Sequence, residues 1–259
     1  MVMWKITQKF FPCKGKRLPC LPLTLHSIGM KQLVYLFALL PLALPAQQAQ
    51  RDVILLTHTA QIDENRYSHI KGSPYFFDEW MVASIESNEG EYIRGFLMNL
   101  NGHTAAIEVK KGERFMELDA QYYKKITLRR DQNPGSWQQT YGDSLLFCRG
   151  LHKKFGHRMV LVIYRGERIA LVNDFTVSLL TKEVQDVGKT VSFQSFFKQN
   201  QYYLIQGADI RLVKLNKKKL LEQLGHTKEL EKYVKSEKIR FNSLPDLQKL
   251  LTYYEHLNP

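Results

Sequence analysis

The chain has 259 residues, of which 44% are hydrophobic, 24% charged and 12% aromatic. That composition excludes a disordered tail or a fibrous repeat and supplies enough apolar side chains for a real core, in one large domain or two small ones. A formal net charge of +12 would suit a polyanionic partner, but its distribution along the chain changes that reading.

From Met30 the chain runs MKQLVYLFALLPLALPAQQAQ, with a single Lys31, an apolar stretch from Leu33 to Leu44 and small residues around Ala46. This is the layout of a signal peptide. The apolar run is shorter than the roughly 20 residues a membrane-spanning helix needs, and Pro41 and Pro45 interrupt it. Residues 30–46 are therefore expected to direct export and to be cleaved, after Ala46 in the best fit. The protein is placed in the periplasm, outside the cell, or at the outer membrane. Residues 1–29 contain no acidic residue and no helical or strand periodicity, and read as an over-called N-terminal extension.

Removing these segments takes Cys13 and Cys20 away, so their spacing is no metal signal, and leaves Cys148 without an internal disulfide partner. A lone buried cysteine is most simply a small hydrophobe. The chain from Gln47 onward keeps 31 basic and 25 acidic residues, a net of +6. Half of the basic signal goes with the leader, and nucleic acid is not the expected partner.

Asp52 to Leu56 reads as a first strand, with His58 a weak candidate for a catalytic group at its polar end. Between Trp80 and Leu128 short β-branched or aromatic runs alternate with turns: WMVASIE (80–86), EYIRGFLMN (91–99), TAAIEVK (104–110), ERFMEL (113–118) and YKKITL (123–128). This is how an antiparallel meander reads. Asn101-Gly102 predicts a tight hairpin turn of the type that needs positive φ. Residues 131–143 (DQNPGSWQQTYGD) read as a linker or long loop.

A second β series follows: SLLFCRG (144–150), RMVLVIY (158–164), RIALVND (168–174), TVSLL (176–180), TVSFQSFF (190–197), QYYLIQG (201–207) and DIRLVKL (209–215). Met159 to Tyr164 is apolar throughout, which predicts a strand buried on both faces. At Asn216 the period changes. Asn216 caps NKKKLLEQLG, with Gly225 as its stop. KELEKYVKSEK places Leu230, Tyr233 and Val234 on one side, and a third helix starts at Ser243 with Pro245 in its first turn. The predicted fold is mainly β with an α C-terminus: small-barrel or curled-sheet β units over 47–210, in two parts at 75–130 and 144–210, followed by a basic helical module over 211–259.

Candidate sites are few. The chain carries no strong catalytic, metal-ligating or nucleotide-binding motif, and no cofactor is expected. His152 and His157 are poorly spaced for a shared metal and read as solvent-exposed loop residues. Glu86, Glu89 and Glu91 bracket a hairpin and read as a solvated turn; two carboxylates across a cleft would be the alternative. Tyr75-Phe76-Phe77, Phe196-Phe197 and Tyr202-Tyr203 could offer stacking faces, but core packing is the simpler reading, since neighbours in a strand point to opposite sides.

The charge that remains is concentrated at the C-terminus, where residues 211–259 hold 11 basic and 6 acidic residues. Lys217, Lys218 and Lys219 open the first helix, and Lys228, Lys232 and Lys235 recur at i, i+4 and i+7 along the second. The plain reading is a solvated face balanced by Glu229, Glu231 and Glu237. The sharper one is an anion-binding face for an envelope polyanion, lipid phosphate or acidic polysaccharide.

The order of GSPY (72–75), a β meander with basic turns, an apolar strand before Arg165-Gly166-Glu167, and the C-terminal KKLLEQLG, LEKYVKSEKI and DLQKLLTYYEHL resembles an uncharacterised family of exported proteins of Bacteroidota-type bacteria. The resemblance spans about residues 72–257. It implies export and a β-then-helix order, and it carries no site. The expected function is a non-catalytic binding or interaction component of the cell envelope, with a hydrolase acting on an envelope polymer as the alternative.

Overall fold

The computed structural model of the protein describes residues 59–186, 189–225 and 227–257. The segments 1–29 and 30–46, Asp52 to Leu56 and His58 lie outside the described residues. Strands form where the sequence alternates: β1 (Thr59–Gln61), β2 (Met81–Ser87), β3 (Tyr92–Asn101), β4 (Ala106–Lys111), β5 (Arg114–Leu118), β6 (Tyr123–Arg129), β7 (Ser144–Cys148), β8 (Val160–Arg165), β9 (Ile169–Asp186), β10 (Lys189–Gln206) and β11 (Asp209–Val213). All are antiparallel in one sheet of order β1-β5-β4-β3-β2-β6-β7-β8-β9-β10-β11. The pairing of β6 with β7, Ile126 opposite Phe147, joins the two β series.

The connection from β5 to β6 shows how far the sheet curls. Four other ladders separate these strands in the sheet, yet only residues 119–122 link them, a reach of roughly 17 Å at full extension. The sheet curls to bring the two within that reach, without β5 and β6 pairing to close a barrel. Its concave interior is filled by Met81, Ile85, Met98, Ile107, Ile126, Leu128 and Phe147, and Phe77 plugs it. Buried aliphatic and aromatic side chains of this kind stabilise by about 1.5–3 kcal/mol each.

Three helices finish the chain: α1 (Lys217–Gln223), α2 (Lys228–Ser236) and α3 (Leu244–Leu257). Asn216 caps α1 by accepting from Lys219 N at 2.9 Å, and Thr227 caps α2 by accepting from Leu230 N at 3.2 Å. Their apolar stripes, Leu220, Leu230, Leu247, Leu250 and Leu251, pack on Ile163, Leu171 and Leu204 of the sheet. The helices thus share a core with β8 to β10. On the opposite face Val160, Val172 and Tyr203 pack under Phe155, so β8 is buried on both sides as its apolar run requires.

Two expectations differ from the structure. Asn101-Gly102 does not form a two-residue turn. The loop extends to Ala105, which takes the positive φ of 60°, while the Asn101 side chain accepts from His103 N and Thr104 N. Gly102 is still required, because a Cβ there would run into Phe175 and Val177. The four runs at 168–174, 176–180, 190–197 and 201–207 are two strands of 18 residues each. The gaps between these runs, at Phe175 and at Lys198 to Asn200, are bridged within an uninterrupted hairpin, where Asn200 pairs with Phe175, Gln199 with Thr176 and Lys198 with Val177.

Candidate functional site

The six lysines singled out in the sequence are all exposed. Lys217, Lys218 and Lys219 form the first turn of α1, and Lys219 Nζ lies 3.1 Å from Glu222 Oε2. Lys228, Lys232 and Lys235 lie on α2 away from the buried Leu230 and Val234. Each trio is thus gathered on its own helix.

Other sequence candidates disperse. His157 is exposed, whereas His152 is half-buried and closes a short 3-10 turn, accepting from Lys154 N at 3.1 Å. No group of three metal-ligating side chains forms among the described residues. Glu89 and Glu91 are exposed, but Glu86 departs from the solvated-turn reading: it is buried between Lys124, at 3.0 Å, and Lys125. Those two ammonium groups lower its carboxyl pKa to about 2. Of the aromatic runs, Phe76, Phe77 and Tyr203 pack in cores and Tyr75 donates to Glu108 at 2.9 Å. Phe196 stacks edge-on against Tyr67. Phe197 is the exception, half exposed.

The structure assembles three features that the sequence did not announce. The first centres on Glu108 of β4, a carboxylate with 0% exposure. It accepts from Arg66, from Tyr75 Oη and from Asn101 Nδ2 at 2.7 Å. Burial and then the Glu108 charge push the Tyr75 hydroxyl well above its ordinary pKa. A carboxylate so enclosed needs this complete set of donors, and they pin the covering segment 62–80 to the sheet.

The second is an open cleft of about 630 Å³ walled by Thr104, Glu117, Asp119, His157 and Arg158. Glu117 stands opposite Glu108 on the neighbouring strand, and burial together with that charge pushes its carboxyl up. The remaining charges are engaged. Arg158 Nη2 lies 2.8 Å from Asp174 Oδ2, a carboxylate only 3% exposed, and Asp119 accepts from Gln121 N at 3.0 Å and Gln121 Nε2 at 2.6 Å.

The third is the outer half of the β9–β10 hairpin. Pairing of β9 with β8 ends at Asn173 and pairing of β10 with β11 begins at Tyr202, so the stretch between them is an arm two strands wide. It is moored at its root by Lys71 N to Gln194 O (3.0 Å), Phe196 N to Lys71 O (2.9 Å) and Val177 N to Gly102 O (2.9 Å). Cross-strand partners share a face, and Ser178, Leu180 and Lys182 stand opposite Phe197, Ser195 and Phe193. This face presents Leu180 (41% exposed), Val184 (49%), Phe193 (58%) and Phe197 (50%). Toward the tip the other face carries Thr181, Glu183, Gln185, Thr190, Ser192 and Gln194. The ribbon is amphipathic, with its apolar side in solvent. Comparison with protein-family models, with curated proteins and with solved structures finds no match.

Proposed function

We propose that the protein is an exported envelope component that works by binding, without catalysis, and that the β9–β10 arm is the surface it presents to a polypeptide partner. One observation carries this reading: four large apolar side chains, 41–58% exposed, are aligned on one face of a projecting ribbon. Contiguous apolar patches of this kind mark interaction sites in soluble proteins. The leader-like segment 30–46 supports export. The hydrolase alternative draws on Glu117 alone, because Asp119 and Arg158 already have partners and Glu108 is sealed from the cleft.

A photo-crosslinking residue placed at Phe193 of the full chain in the source organism tests the arm, with the exposed turn position Glu89 as control. A discrete product from position 193 and none from position 89 is expected. Equal products from both, or none from 193, would overturn the reading. The mass of the native protein tests export, the expected form beginning near Gln47.

A further inference from the structure

We propose that the open cleft beside β5 binds a short peptide by its two charged ends, the ammonium group at Glu117 and the carboxylate at Arg158. This site goes beyond the arm and does not depend on it.

Glu117 lies in β5 and Arg158 just before β8, and the curl of the sheet sets both in the wall of one cleft of about 630 Å³, a size usual for small-ligand sites. Glu117 is half-buried, and its carboxylate forms no hydrogen bond or ion pair among the described residues. The guanidinium of Arg66, whose charge reaches it, is bound to Glu108 instead. A partly buried carboxylate without donors is costly, and a ligand ammonium group supplies them.

On the other wall Arg158 is held through one nitrogen. Its Nη2 lies 2.8 Å from Asp174 Oδ2, whereas Nη1 has no partner among the described residues. Asp174, only 3% exposed, is thus a positioning residue that fixes the guanidinium and leaves Nη1 for a ligand. His157 lines the same cleft. Arg149 Nη1, which can only donate, lies 3.4 Å from His157 Nδ1, so Nδ1 accepts and Nε2 carries the ring proton. Arg158 Nη1 and His157 Nε2 are then two donors for a carboxylate.

The signs of the unpaired groups choose the ligand. A lone cation at Glu117 would be repelled by Arg158, and a lone anion at Arg158 would be repelled by Glu117. A ligand carrying both charges satisfies both walls. Asp119 adds no free acid, because Gln121 N and Nε2 occupy its two oxygens. Glu117 and Arg158 form no ion pair with each other, although such a pair closes at up to about 4 Å, so a gap separates them. A single amino acid carries its charges on neighbouring atoms, whereas each further peptide residue separates them by about 3.3–3.6 Å. That favours a short peptide.

Titration of the full chain with alanylalanine, followed by backbone amide chemical shifts, tests the site. The N-acetylated and the C-amidated dipeptides each lack one charge. The free dipeptide should bind with a dissociation constant of about 1 mM or tighter. Each blocked form should bind at least tenfold more weakly, as expected for the loss of one charge-assisted hydrogen bond. Glu117→Gln, which keeps the shape of the side chain, should lose the same tenfold for the free dipeptide and nothing for the acetylated one, which has no ammonium group to place there. Circular dichroism establishes that Glu117→Gln is folded, and if it is not, the two blocked dipeptides on the wild-type chain decide alone. No shift change at about 10 mM free dipeptide, blocked forms that bind like the free one, or wild-type affinity in folded Glu117→Gln overturns the proposal.

Discussion

The carboxylate of Glu255 occupies the space that a side chain at residue 166 would need. From the last turns of α3 it accepts from Tyr164 Oη (2.9 Å), Glu167 N (3.2 Å), Arg168 N (3.0 Å) and Ile169 N (3.1 Å), and so it ties the helical end of the chain to the turn between β8 and β9. Gly166→Ala should push this carboxylate out of its seat and cost about 1–3 kcal/mol. In a Glu255→Ala background the same substitution should cost much less, because the obstacle is gone. Urea denaturation of the four proteins measures the coupling, and additive costs would contradict it.

Glu255 and Glu86 are among the acids that make stability depend on low pH. Burial works against the charge on Glu255, but the three backbone N–H groups and the Tyr164 hydroxyl outweigh it and hold the pKa below the ordinary value. Glu86 is held at about 2 by Lys125 and Lys124. A carboxyl whose folded pKa is depressed contributes stability above its unfolded pKa, and that contribution is lost as pH falls through the folded value. Stability should therefore decline from about pH 4.5 toward pH 2. Glu86→Gln should be less stable at neutral pH and show a shallower decline. An identical pH profile for the variant would contradict the role given to Glu86.

Removing one partner of the Glu108 cluster should be costly, because it leaves a buried charge short of donors. Arg66→Met is expected to cost roughly 2–4 kcal/mol, the lower end reflecting the partial exposure of Arg66. Adding Glu108→Met should recover part of that loss, since the uncompensated carboxylate is then gone. A double variant less stable than Arg66→Met would refute the account.

Cys148 has 8% exposure at the end of β7, and burial pushes its thiol pKa up. Cys148→Ala should cost about 1–2 kcal/mol as a small cavity. A thiol reagent should modify this residue only after denaturant is added, and rapid labelling of the folded protein would contradict its burial.

The elements readable in the sequence were those with a local cause. Alternation in WMVASIE and TAAIEVK, the Asn216 cap and the leucine stripe of α3 are properties of neighbouring residues, and the strands and helices appear where they indicate. The Glu108 cluster was not readable in this way. Its donors lie 42, 33 and 7 residues away along the chain, and a glutamate alternating with Ile107 and Val109 looks like a solvent-facing position. The arm was missed for the opposite reason. Leu180, Phe193 and Phe197 look like core residues, and only the ends of β8 and β11 pairing leave them uncovered. The breaks read at residue 175 and at Lys198 to Asn200 failed because polar residues continue a strand when each has a cross-strand partner, as Lys198, Gln199 and Asn200 do in Val177, Thr176 and Phe175.

The lysine face can now be tested without cutting the chain. Because α1 to α3 share a core with Ile163, Leu171 and Leu204, deleting the helices would uncover the sheet and confound any binding result. Lys228→Gln, Lys232→Gln and Lys235→Gln together remove the exposed row on α2 and leave Leu230 and Val234 in place. Near an anionic surface each lysine contributes on the order of 1 kcal/mol within a Debye length of about 8–10 Å. Glu229 and Glu231 in the first turn of α2 and Glu237 at its C-cap oppose that attraction. The triple variant should therefore bind anionic phospholipid vesicles roughly tenfold more weakly than wild type at low salt, and the two should converge at physiological salt. Equal binding at low salt, or binding indifferent to salt, would reduce the face to an ordinary solvated surface.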